Sequence, residues 1–159
     1  MNVLNRLLGL LLTIISITVL LIVASVPMPV LYAQLFIIGS GYLLTLVLPG
    51  LLIDLVFARI GEDIASECGG LRHGGYLIGC VERSLIFLAL LITYYDSSLS
   101  FAAVLSFLSV IVAGKAIFRY SSKATDDRAC ADWYILGTLM SITLALALTW
   151  GIFRFLLAG

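Results

Sequence analysis

The chain has 159 residues, 62% of them hydrophobic and only 11% charged, with 9 Lys and Arg balancing 9 Asp and Glu and a mean hydropathy of +1.19. Soluble domains carry about 25% charged residues, so this composition excludes an ordinary soluble enzyme or binding module and points to an integral membrane protein. The formal net charge of +0 says little about partners, because in a polytopic chain the placement of the charges matters more than their sum.

Uninterrupted apolar windows predict five membrane spans, at about 7–26, 30–57, 76–95, 99–118 and 133–157, each near or above the ~20 residues that cross a hydrocarbon core. They are too long and too evenly apolar for barrel strands, which run about 9–11 residues with alternating polarity. The expected fold is therefore an all-α bundle forming a single membrane domain over 1–159. The first span follows Arg6 and contains "VAS" at 23–25, which resembles a cleavable signal. Its apolar run exceeds the roughly 7–15 residues of a signal core, so retention as a helix is expected.

The second span contains "GSG" at 39–41, Pro49 and, close to its end, Asp54. It is longer than a straight crossing needs, and a kink at Pro49 is predicted. The connection 58–75 mixes both charge signs with five glycines, and a short interfacial turn around 63–67 is expected before a glycine-rich re-entry. Cys68 and His73 lie here. They make a C-x4-H pair without the four ligands of structural zinc, so no metal or other cofactor is expected.

The third span, "GYLIGCVERSLIFLALLITYY", carries Glu82 and Arg83 inside its apolar run, and the fourth ends in "GKAIFRY", with Lys115 and Arg119 one helical turn apart on one face. In the connection 120–132, Thr125 precedes Asp126 and Asp127, a pattern that starts a helix with acids in its first turn. The fifth span opens at Asp132 beside Trp133 and Tyr134.

With the N terminus in the cytosol, the inner side receives Arg6, Arg59, Arg72, Arg83, Lys115, Arg119, Lys123 and Arg128, and the outer side only Arg154. This asymmetry follows the positive-inside rule and sets the expected orientation, and the expected location is the cell (inner) membrane. Cys68, Cys80 and Cys130 then fall at the reducing inner side, and no disulfide is expected.

On this map Asp54, Glu82, Arg83, Lys115, Arg119 and Asp132 lie at one depth on four helices. Ionisable groups within a span usually face the bundle or a wet cavity. The expected arrangement is a polar cluster of three acids facing three bases, serving as an ionic lock or as the seat of a function. Small residues recur every four positions at Gly137, Ser141 and Ala145, and Gly75 with Gly79 forms a second small pair. Both are expected helix-packing contacts, with the Gly79 face letting a neighbouring helix approach Glu82.

Taken together, "GYLIGCVERSLIFLALL", "GKAIFRY" and "DWYILGTLMS" are similar in order and spacing to the C-terminal helices of an uncharacterised group of bacterial membrane proteins. The shared pattern is Gly-x-x-Glu-Arg, Lys-x-x-x-Arg, then an acidic–aromatic pair followed by Gly-Thr-x-x-Ser. The resemblance covers about residues 75–145. Asp132 stands where that pattern has Glu and Trp133 where Tyr is usual, which shortens the acid's reach. The resemblance implies that the charged residues act as a unit and names no activity.

No G-x-S-x-G, H-E-x-x-H, P-loop or C-x-x-C motif is present. The favoured expectation is a non-catalytic membrane component that forms a homo-oligomer or joins another membrane protein, with the lipid bilayer as its other partner and no nucleic acid. One alternative is a small oligomeric transporter or channel using the polar cluster, although no internal repeat supports it. Another is a cytosolic-face enzyme acting on a phosphorylated lipid, with Arg83, Lys115 and Arg119 clamping the anion.

Overall fold

The computed structural model describes residues 3–60, 74–96, 100–121 and 128–157. Five helices follow one another: α1 (Val3–Ser25), α2 (Val30–Ile60), α3 (Gly74–Tyr95), α4 (Phe101–Ser121) and α5 (Arg128–Ile152), with a π-helical turn at Phe153–Leu157 closing the last. No strand occurs among the described residues. In a bilayer the backbone has no water to bond, and continuous helices satisfy its polar groups within each segment. The chain is an all-α, multi-pass membrane bundle.

Four helices contain stretches long and apolar enough to cross a membrane: Leu4–Ser25, Val30–Phe57, Leu77–Tyr95 and Asp132–Leu156. The apolar part of α4, Phe101–Ile117, is shorter. At 1.5 Å per residue it reaches about 25 Å, a little less than the ~30 Å hydrocarbon thickness. The fourth span was expected to begin at residue 99, yet α4 starts at Phe101. Ser100 sets this start, its carbonyl accepting from the Ala103 and Val104 amides at 3.0 and 3.3 Å. Its hydroxyl also accepts from the Ala103 amide at 3.2 Å, so Ser100 is the N-cap of α4. Helix α5 begins at Arg128, a turn ahead of Asp132. The expected interfacial turn at 63–67, the Cys68–His73 pair and the Thr125–Asp127 start lie outside the described residues.

Helix α2 runs without interruption through 39–41 and past Pro49. Proline lacks the N–H that would bond the carbonyl four residues back, and that carbonyl is Thr45's. Burial of Pro49 and Thr45 against the other helices keeps the helix continuous there. At Gly41 a side chain of α5 comes close: a Cβ there would stand 3.1 Å from Ile152 Cγ2 and 3.7 Å from the Phe87 ring of α3. Larger side chains would force α2 and α5 apart.

Helix α1 packs chiefly against α2, while α5 touches α2, α3 and α4. The core is correspondingly off-centre: Ile37 and Leu44 of α2, Ile86, Phe87 and Leu90 of α3, Val104 and Leu108 of α4, and Ile142, Ala145 and Ile152 of α5 form one cluster, with Leu20 of α1 at its margin. Edge-on aromatic contacts join Tyr42 to Phe87 and Phe87 to Phe153, both with centroids 5.4 Å apart, a favourable arrangement beyond simple area burial. The outward leucines, isoleucines and phenylalanines of α1 and α4 are exposed, as a lipid-facing surface requires.

Candidate functional site

The polar groups concentrate at one end of the bundle because the helices alternate in direction. Arg6 lies near the start of α1, Asp54 near the end of α2, Glu82 and Arg83 near the start of α3, Lys115 near the end of α4 and Asp132 near the start of α5. Contacts between these ends confirm the alignment. The Arg6 Nε sits 2.8 Å from the Asp54 carboxylate, Lys115 is ion-paired with Glu82, and the Phe57 and Trp133 rings meet edge to face at 5.2 Å.

Within this end, the structure distributes the expected cluster over three helix seams. Asp54 pairs with Arg6 in the α1–α2 seam, where the two side chains are 31% and 49% exposed. Arg6 was legible only as an orienting charge, and its pairing depends on α1 folding back along α2. Glu82 and Lys115 pair in the α3–α4 seam, at 8% and 19% side-chain exposure. The Lys115 ammonium also stands 5.4 Å from the centre of the Tyr134 ring of α5, within cation–π range. Two helices thus share one lysine.

Arg83 follows Glu82 in the chain but points into a different seam, as successive residues on a helix must. It is 3% exposed. One terminal nitrogen donates to the Ser141 hydroxyl of α5 at 3.1 Å, and the other donates to Cys80 Sγ at 3.4 Å. Its Nε is buried with no hydrogen-bond acceptor. Side chains on a helix lean toward its N terminus, so the guanidinium lies back over Gly79, and a Cβ there would find Arg83 Nη1 nearest, at 3.6 Å. The open face of Gly79 holds Arg83 rather than a neighbouring helix, which corrects the expected role of that glycine. Nearby, the Ser84 hydroxyl donates to the Cys80 carbonyl at 2.9 Å and meets the Tyr42 hydroxyl of α2 at 3.0 Å.

Asp132 is exposed at the entry of α5. The Arg119 side chain and the surroundings of Gly75 fall outside the described residues. The stripe on α5 contacts the chain's own helices. A Cβ on Gly137 would stand 3.3 Å from the Phe57 ring, Ser141 receives Arg83, and Ala145 is fully buried in the core. Thr149 extends the stripe, with its hydroxyl 3.3 Å from that of Thr45. Neither threonine is exposed. Isolated hydroxyls in an apolar span were the available signal for this pair, although a neighbouring carbonyl in the same helix can satisfy them equally well. Thr13 and Ser16 of α1 do bond in that way, to the Gly9 and Leu12 carbonyls at 2.8 Å.

Among the described residues, no three His, Cys, Asp or Glu side chains converge as metal ligands. Cys80 is a free thiol. Comparisons with family models, with curated proteins and with solved structures returned no match.

Proposed function

We propose that the chain is a non-catalytic, multi-pass component of the cell (inner) membrane, with its N terminus in the cytosol, that assembles with itself or with another membrane protein. The observation that carries this reading is the use of Glu82 and Arg83. Two consecutive charged residues, both buried, reach two different helices, Lys115 on α4 and Ser141 on α5. Groups tied up between helices favour a fastening over a reaction centre, and leaving either partner unmatched in lipid is costly. The lipid-facing surfaces of α1 and α4 are then the surfaces left for assembly, since the α5 stripe is taken up internally. The orientation is supported by the gathering of Arg6, Arg59, Arg83 and Lys115 at one end.

Single-cysteine labelling tests the orientation: cysteine at Val26, in the exposed α1–α2 connection, should react only from the periplasmic side, and cysteine at Arg59 only from the cytosol. Labelling of both from one side sinks the topology. Cross-linking in native membranes tests assembly. A chain that remains monomeric and without partners at native expression refutes it.

A transporter reading draws support from one observation, the buried Thr45–Thr149 pair beside the carbonyl that Pro49 cannot bond. It predicts an ion flux in liposomes of the purified protein that Thr149→Val alters. Absence of flux leaves the fastening reading in place.

A further inference from the structure

We propose that Arg83 is the centre of an oxyanion-binding site, taking a phosphate-type group from the cytosolic end of the bundle. Lys115 has Glu82 as its counter-charge. Arg83, at 3% exposure, meets only neutral atoms in its described hydrogen bonds, the Ser141 hydroxyl and the Cys80 sulfur. Glu82, Arg83 and Lys115 together leave one positive charge in a low-dielectric interior, where a charge without a counter-ion is expensive. The unpartnered Nε points to the same need. A guanidinium presents its donors in a planar fork that matches two oxygens of a carboxylate or phosphate, and sulfur and a single hydroxyl do not fill that fork.

The local sequence holds the guanidinium inside the bundle. Had Arg83 simply extended to the headgroups, it would be exposed. It lies instead against the bare backbone of Gly79, whose missing side chain leaves the space that the guanidinium itself occupies. Ser141 and Cys80 hold two of its edges in place, so its orientation is set before a ligand arrives. A phosphate-type group suits the site better than a halide because several oxygens can engage Nε and a terminal nitrogen at once. That group is either a free phosphate or the headgroup of a membrane lipid, since both present the same oxygens.

The test uses the full chain purified in an uncharged, phosphate-free detergent. Thermal stability is followed during titration with inorganic phosphate, with sodium chloride at matched ionic strength as reference, and in parallel with phosphatidic acid against diacylglycerol of the same chains. A saturable stabilisation by phosphate identifies the free anion, and one by phosphatidic acid alone identifies the lipid headgroup. Arg83→Lys keeps the charge and loses the fork, so the apparent affinity should fall roughly tenfold or more. Arg6→Gln, in the separate α1–α2 seam, should leave it unchanged. Should Arg83→Lys fail to fold, Glu82→Gln supplies the second arm, because removing the adjacent negative charge should tighten binding. Failure of both anions to stabilise the wild-type chain saturably overturns the proposal, as does equal binding by Arg83→Lys or weaker binding by Glu82→Gln. The assembly reading stands or falls separately, on cross-linking.

Discussion

The pairing of Glu82 with Lys115 predicts an asymmetry between its two one-sided disruptions. Lys115→Met strands a carboxylate whose side chain is 8% exposed, and removing one partner of a buried pair costs about 3–5 kcal/mol. Glu82→Gln strands the lysine, which is 19% exposed, rests near the Tyr134 ring and has a flexible stem that can carry its ammonium toward the headgroups. That outlet reduces the loss to about 1–3 kcal/mol. The double variant leaves neither member of the pair charged and should recover about 1–3 kcal/mol relative to the sum of the single changes. Unfolding in mixed micelles by increasing the SDS fraction, followed by the fluorescence of Trp133 and Trp150, reads all three values. Strict additivity would show that the two groups do not interact. A larger loss from Glu82→Gln than from Lys115→Met would refute the assignment of the carboxylate as the more deeply trapped partner.

Gly137→Leu drives a side chain into the Phe57 ring, which already lies 3.3 Å from a built Cβ. It should cost about 1–3 kcal/mol by overpacking, whereas Gly114→Leu, with nothing within 4 Å, should stay within about 0.5 kcal/mol. Equal losses in the same unfolding assay would show that α5 does not pack on α2 as described. Thr45→Val and Thr149→Val should be coupled by about 0.6 kcal/mol, the usual size for interhelical hydrogen bonds in membranes, and a double-mutant cycle with no coupling removes the pair. Arg6→Gln should change stability by about 1 kcal/mol or less, because its pair with Asp54 is half open to solvent and screened by salt. A loss several times larger would place that pair in the core.

Fold class was legible in the sequence because it rests on composition and run length. Residues that must satisfy their backbone without water form helices whatever surrounds them, and the five apolar windows map onto α1 to α5. The small-residue periodicity on α5 was equally plain, since spacing alone puts Gly137, Ser141 and Ala145 on one face. What that face meets was not legible. Phe57 over Gly137, Arg83 on Ser141 and Thr45 opposite Thr149 depend on which helices become neighbours, and five similar apolar helices can be arranged in many ways. The charges illustrate the same division. Hydropathy and helical rise placed Asp54, Glu82, Arg83 and Lys115 near one depth, but depth says nothing about direction around a helix axis relative to a partner. Tertiary packing assigned Asp54 to Arg6, Glu82 to Lys115 and Arg83 to Ser141 and Cys80. Periodicity is a property of one helix, whereas a counter-charge belongs to two, and only their packing decides which two.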